Sequence, residues 1–248
     1  MAKRNYAHPA TYHAEQLLRL NQGLYVIPLT SYGTPPKKFI GYNSPEVAIG
    51  SLADLESRTN PSDWDHGLGL VLHLSNMVML DIDMHKPNEQ DGWLSYDWLL
   101  MMYSSVDCET VPDEMTTWTY STPNNGQHLL FTRPEDFPPL TRFKRGNIAP
   151  GIELMAHGVT PVPPTKRKRA KGVGEYEWLW VELYESHIGE DYDSRFILPY
   201  EQIQEFRLSP EWMYAAPLPE WLTEFAYNYK QPLMSQRHYN EQARRWWR

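Results

Sequence analysis

Cysteine is almost absent from this sequence, whose 248 residues include only Cys108. An internal disulfide framework needs paired thiols, and a zinc knuckle built on paired cysteines needs several. Both are therefore excluded. A single cysteine is typical of a protein in the reducing cytoplasm.

Long apolar runs are absent as well. No stretch approaches the roughly 18 uninterrupted apolar residues of a membrane span. The polar start Met-Ala-Lys-Arg-Asn lacks the apolar core of a signal peptide. We therefore expect a cytoplasmic protein with no membrane partner.

Several common catalytic motifs are also lacking. The sequence contains no GxxxxGKS/T phosphate loop, no GxGxxG fingerprint, no HExxH and no GxSxG elbow. An ATP-driven helicase, a Rossmann dehydrogenase and the commonest hydrolases consequently lose support.

The charge is acidic overall but unevenly distributed. The 31 acidic residues outnumber the 23 lysines and arginines, so the net charge is −8. Phosphate neutralisation requires lysine and arginine facing the backbone, so any nucleic-acid binding must be local. Positive charge is concentrated between Lys166 and Lys171, and again in the C-terminal tail.

The pattern of apolar residues predicts an α+β fold. Helical spacing, start signals and stop signals predict helices over 12–20, 44–56 and 92–103. Runs rich in β-formers predict strands over 24–29, 67–74, 77–82, 117–121, 127–132, 151–155, 159–162 and 176–181. We expect 67–74 and 77–82 to form a hairpin, within mixed or antiparallel sheets flanked by helices.

The chain changes character near residue 200. Beyond it, short helical pieces are broken by prolines at 210, 217, 219 and 232. We predict a catalytic domain over 1–200 and a small helical C-terminal appendage over 201–248.

Two aspartates end a strongly apolar run. Alternation along a strand places Asp81 and Asp83 on the same face, so both carboxylates can reach one magnesium-sized cluster. A solvated loop after a strand is the alternative. The apolar flanks favour the first interpretation, because an unpaired charge at the end of a buried strand is costly.

Two further residues are candidates for the same chemistry. His128 follows a Gly-rich turn and begins an apolar strand, where it could donate to a triphosphate oxygen. Glu153 interrupts an apolar strand and could serve as a third carboxylate. The alternatives are a structural histidine bonded to a backbone carbonyl and a glutamate on an edge strand.

Two basic segments are candidate phosphate sites. Lys166, Arg167, Lys168, Arg169 and Lys171 follow a rigid proline-rich approach, and Lys37 and Lys38 follow a second proline pair. A charge run is more often a solvated loop. In an acidic protein, five positive charges in six residues are a plausible local phosphate clamp.

Taken in order, these segments resemble the bifunctional primase-polymerase (Prim-Pol) family of the archaeo-eukaryotic primases, found in plasmids, phages and integrated elements. The resemblance spans roughly residues 10 to 182. It rests on the 23–29 opening, the lysines at 37 and 38, the 67–71 run leading to Asp81-Ile82-Asp83, the 122–128 segment ending in Gly126-Gln127-His128, Ile152-Glu153-Leu154, Pro163-Pro164-Thr165 and the 174–178 segment. Two departures are Asn124-Asn125, where the family usually has Ser-Gly, and Thr165, where it usually has serine.

The resemblance implies a primase-like, RRM-like catalytic core and a set of roles. Asp81, Asp83 and Glu153 would bind two Mg²⁺ or Mn²⁺ ions for template-directed nucleotidyl transfer. His128, with Gly126, Gln127, Lys166, Lys37 and Lys38, would contact the nucleotide. Arg167, Lys168, Arg169 and Lys171 would contact nucleic acid. The implied partners are a single-stranded DNA template, a primer, (d)NTPs and a separately encoded helicase or replication initiator.

Two other functions compete with this one. A metal-dependent nuclease or phosphohydrolase also uses paired aspartates, but the haloacid-dehalogenase version expects threonine where His85 stands. A catalytically inert nucleic-acid-binding replication module would keep the fold without the chemistry. The intact acids and His128 speak against it.

Overall fold

The computed structural model describes residues 9–19, 23–84, 91–103, 115, 117–169, 172–180 and 215–246, without the side chains of 9, 169, 178–180, 245 and 246. Its α-helices are α1 (Pro9–Arg19), α2 (Leu52–Arg58), α3 (Gly92–Tyr103), α4 (Glu220–Asn228) and α5 (Gln236–Trp246). Its strands are β1 (Val26–Pro28), β2 (Leu68–Val71), β3 (Met77–Ile82), β4 (Trp118–Ser121), β5 (Gln127–Thr132), β6 (Arg145–Ala149), β7 (Ile152–Met155), β8 (Val159–Val162), β9 (Lys166–Arg169), β10 (Gly172–Glu175) and β11 (Glu177–Trp180).

The chain divides into two compact units. The first comprises Met1–Asn76 and Gly158–Tyr214, and the second comprises Met77–His157 and Ala215–Arg248. Helices and antiparallel sheets occur together, so the predicted α+β class is confirmed. Among the described helices, none has the length and apolar character needed to cross a bilayer. The predicted boundary at residue 200 lies outside the described residues and stays a prediction.

The first unit contains a three-stranded antiparallel sheet in the order β1-β2-β8. Its strands are short, with Val26 opposite Leu70 and Leu68 opposite Val162, and β1 and β2 are buried along their length. A separate antiparallel pair is formed by β9 and β10, with Lys166 opposite Glu175. The basic segment predicted as a loop is therefore part of a hairpin.

The helix predicted over 44–56 begins later than expected. Ser51 is the N-cap of α2, because its side chain accepts a hydrogen bond from the Asp54 amide at 3.1 Å. Residues 44–48 form turns instead, and the Arg58 guanidinium donates to the carbonyls of Val47 at 2.6 Å and Ala48 at 3.2 Å. The arginine thus satisfies carbonyls that a longer helix would have bonded internally.

The hairpin predicted for 67–74 and 77–82 was wrong. The strand β2 pairs with β1 and β8, whereas β3 pairs with β5 and β7 in another sheet. Between them, Ser75 accepts a hydrogen bond from the Tyr25 amide at 2.8 Å, and Asn76 has a φ of 53°. The Ser75-Asn76 turn therefore ends one sheet and begins the next.

Five strands of the second unit form an antiparallel sheet in the order β4-β5-β3-β7-β6. Its core includes α3 and the C-terminal helices, with Leu99, Leu222 and Phe225 all at most 5% exposed. Burial of each such side chain contributes about 1.5 to 3 kcal/mol. Residues 215–246 thus share a core with the central strands.

Candidate active site

The register of the second unit's sheet aligns the predicted site residues in one row. On β3, Asp81 lies opposite His128 of β5 on one side and opposite Glu153 of β7 on the other. The row continues outward to Tyr120 on β4 and Asn147 on β6. Directly opposite residues project from the same face, with Cβ atoms about 4.5 to 5.5 Å apart. We call these five residues the cross-sheet row.

Buried contacts fix the orientation of His128, which is 6% exposed. Its Nδ1 lies 3.0 Å from the hydroxyl of Tyr120, itself fully buried. Its Nε2 lies 3.2 Å from Oδ1 of Asp81. The imidazole is therefore held between a phenol and a carboxylate, and Nε2 is the nitrogen that faces the acids.

The Asp81 carboxylate has a buried oxygen without a hydrogen bond from any described residue. The approach of His128 Nε2 to Oδ1 has the distance of an ion pair, but its angles are not those of a hydrogen bond. A buried carboxylate oxygen without a donor is costly. A cation beside this oxygen would satisfy it.

The backbone around Asp83 is packed tightly against two glycines. Its amide donates to the Gly151 carbonyl at 2.8 Å, and its carbonyl accepts from Gly92 at 3.0 Å. A Cβ on Gly92 would lie 2.6 Å from both carbonyl oxygens. Glycine is therefore required at 92. The close packing also fixes the position of the Asp83 backbone just after β3.

The turn before His128 also depends on a glycine. A Cβ on Gly126 would lie 2.4 Å from the Ile82 carbonyl oxygen, so close packing alone requires glycine at this position. Alternation places Gln127 on the opposite face of β5 from His128. The predicted nucleotide contacts of Gly126 and Gln127 stay predictions.

Glu153 is engaged by an arginine that the sequence did not single out. Arg145 on β6 makes a bidentate pair with it, with Nε to Oε1 at 2.7 Å and Nη2 to Oε2 at 2.8 Å. The Arg145 side chain is 64% exposed, and that of Glu153 is 20% exposed. Both oxygens of the third predicted acid are therefore occupied by a guanidinium at the surface.

The donor chemistry of these acids fits a hard divalent cation, because Mg²⁺ and Mn²⁺ prefer carboxylate oxygens. Asp81 offers a buried oxygen without a hydrogen bond. Within the described ranges, however, no three His, Cys, Asp or Glu side chains form a group that could hold a metal. The Arg145 pair with Glu153 is one contact that a cation bound at this acid would have to replace.

The predicted basic contacts belong to the first unit. Lys37 and Lys38 lie in the 3-10 turn Lys37–Phe39, where Lys38 pairs with Asp63. On β9, Lys166 lies 3.8 Å from Glu175, while Arg167 and Lys168 are exposed. The Arg169 side chain and Lys171 lie outside the described residues. All of these phosphate contacts stay predictions.

Two comparisons with known proteins bear on this geometry. The family model for the N-terminal domain of bifunctional DNA primase/polymerase matches residues 16–186, which is more than half of the chain. The matched range contains the whole cross-sheet row and ends before the C-terminal helices. No curated protein matches the sequence.

Proposed function

The chain belongs to the bifunctional DNA primase/polymerase family, and from that membership we propose that it catalyses template-directed nucleotidyl transfer from (d)NTPs. Membership gives a primase/polymerase-type activity at the level of the domain. The finer proposal is a two-metal reaction on a single-stranded DNA template, in the replication of a phage, plasmid or integrated element. The resemblance supplies this context, along with a separately encoded helicase or initiator as partner.

The buried Oδ1 of Asp81 carries the proposal. It lies at the centre of the cross-sheet row, between a histidine and a second acid. Asp81, Asp83 and Glu153 would hold the divalent cations. When bound, such ions would supply Lewis-acid activation of the attacking hydroxyl and charge stabilisation for the leaving pyrophosphate.

The histidine is placed to assist at the phosphates. Because Tyr120 fixes Nδ1, the Nε2 atom is directed to the edge of the acid site. A proton held on Nε2 can be donated to a phosphate oxygen, which would strengthen binding where negative charge accumulates. His128 would thus bind and orient the triphosphate while the acids hold the reacting centre.

The exposed basic residues would supply the remaining positive charge. Lys37, Lys38 and Lys166 are proposed to neutralise the triphosphate, and the rest of the basic hairpin (Arg167, Lys168, Arg169 and Lys171) to contact the template. Since the net charge of the chain is −8, such local contacts are the expected way for it to bind nucleic acid.

Primer extension tests the proposal. Purified protein, a primed template, labelled nucleotides and Mg²⁺ or Mn²⁺ should give extension that Asp81→Ala combined with Asp83→Ala abolishes. Asp136→Ala, a change to an exposed acid in a turn of the same unit, is the matched control and should extend normally. Extension by the double variant equal to wild type would refute the assignment.

The same assay separates the two rival functions. Degradation of the template without synthesis would indicate a metal-dependent nuclease or phosphohydrolase. Binding of nucleic acid with neither synthesis nor degradation would indicate an inert replication module. The buried, unbonded oxygen of Asp81 favours the catalytic proposal over the inert module.

A further inference from the structure

A cavity of about 290 Å³ lies beside Glu153, at the β6 end of the cross-sheet row. Its walls include three residues on or next to the sheet, two between α4 and α5 and the first residue of α5: Asp83, Asn147, Glu153, Pro232, Met234 and Gln236. The last three lie outside the range matched by the family model. The C-terminal part of the chain therefore contributes directly to a cavity at the acids.

The C-terminal wall is held firmly against the sheet. The amides of Leu233 and Met234 donate to the Ile148 carbonyl at 2.7 and 3.2 Å. Met234 is 1% exposed, and its sulfur lies 3.6 Å from the Ser95 hydroxyl. One turn into α5, Asn240 accepts a hydrogen bond from the Gln236 side chain at 3.1 Å. The cavity is thus formed in advance of any ligand.

The order of residues in the cross-sheet row shows on which side of Asp81 the cavity lies. His128 lies on one side of Asp81, and Glu153 lies on the other. In phosphoryl transfer the attacking and leaving oxygens are roughly in line on opposite sides of phosphorus. If the triphosphate lies at His128, as the proposed function holds, the attacking hydroxyl approaches from the side of Glu153 and the cavity.

The polar walls of the cavity match a sugar and a base. The side-chain amides of Asn147 and Gln236 carry donors and acceptors of the kind that bind hydroxyls and base edges. Pro232 and Met234 add apolar surface. The volume is at the small end of ligand cavities, which are about 300 to 1,000 Å³.

We propose that this cavity binds the 3′-terminal nucleotide of the primer, with residues 232–236 as its C-terminal wall. The inference rests on the proposed polymerase function and extends it to a segment beyond the family match. Gln236 and Asn147 act as positioning residues that hold the terminal sugar and base beside the acids.

Site-directed crosslinking tests the placement without requiring catalysis. Cys108 is the only native cysteine, so a Cys108→Ser background allows a single new thiol to be introduced. In that background, Gln236→Cys should form a disulfide with a primer whose 3′-terminal base carries a thiol. It should not do so when the thiol is carried eight nucleotides upstream. Gln242→Cys, on the same helix but outside the cavity, is the matched control.

Each outcome distinguishes this inference from the function on which it rests. The inference is supported if the protein binds primer–template and Gln236→Cys crosslinks only to the terminal base. Binding in which Gln236→Cys and Gln242→Cys crosslink equally, or the upstream thiol reacts as well as the terminal one, overturns the placement alone. A protein that binds no primer–template overturns both.

A kinetic variant gives a second measurement. In Gln236→Ala, the KM for primer–template should rise about three- to tenfold, the loss expected for one hydrogen bond. The KM for the incoming nucleotide should stay within about twofold of wild type. A rise in the nucleotide KM with an unchanged primer KM would contradict the assignment.

Discussion

Replacement of Arg145 by glutamine should tighten the binding of divalent cations. The arginine holds both oxygens of Glu153 at 2.7 and 2.8 Å, so a cation must displace it to use this acid. Because the Arg145 side chain is 64% exposed, solvent screens the pair. Exposed ion pairs contribute about 0.2 to 1 kcal/mol, and bidentate geometry places this one near the upper limit.

A pair worth about 1 kcal/mol corresponds to roughly a fivefold change in a dissociation constant. We therefore expect Arg145→Gln to lower the Kd for Mn²⁺ about fivefold, as measured by electron paramagnetic resonance of the free ion. Arg145→Lys keeps the positive charge but loses the bidentate geometry, so its Kd should lie between those of wild type and Arg145→Gln. Glu153→Gln should weaken binding. An Arg145→Gln protein that binds Mn²⁺ no more tightly than wild type would refute the reasoning.

Two stability predictions follow from other residues. Gly92→Ala should lower the free energy of unfolding by about 1 to 3 kcal/mol, since its Cβ would lie 2.6 Å from two backbone oxygens; an unchanged denaturation midpoint would contradict this. Burial lowers the pKa of His13 from 6.5 to about 4. Between these two pH values the unfolded chain binds a proton at His13 that the folded chain does not. Neutral His13 therefore contributes roughly 3 kcal/mol to the free energy of unfolding above pH 6.5, and this contribution is lost as the pH falls to 4. His13→Leu should flatten that dependence in denaturant titrations, and an equally steep loss in the variant would rule it out.

Local sequence signals predicted several elements well. The helix predicted over 92–103 has the same bounds in the structure, where Leu94, Leu99 and Leu100 are buried. The strands on either side of the 122–126 turn were also predicted, and Asn125 has the positive φ that such a turn requires. These elements depend on contacts close in sequence.

Strand partners could not be predicted in the same way. The run at 77–82 was assigned to a hairpin with the nearest β-rich run, yet its partners begin at 127 and 152. Antiparallel pairing over such separations is decided by burial in the whole sheet, which local patterns do not encode. The family resemblance grouped Asp81, His128 and Glu153, but their alignment in one row came only from the structure.

The residues that flank Glu153 were missed for a related reason. Arg145 and Asn147 lie on β6, a strand that was not predicted because Gly146 and Asn147 disfavour strands. Gln236 lies 83 residues beyond Glu153 and 153 beyond Asp83, and no motif links it to the acids. The alternation of polar Arg145 and Asn147 with Gly146 and Ile148 is a signal that could have indicated a strand here.

The central claim is that the acids around Asp81 form a nucleotidyl-transfer centre. Its most direct measurement is primer extension by wild-type protein and by the variant with Asp81→Ala and Asp83→Ala, at matched thermal stability. We predict metal-dependent extension by the wild type and none by the double variant. Equal extension by the two proteins, or no synthesis by either, would contradict the account.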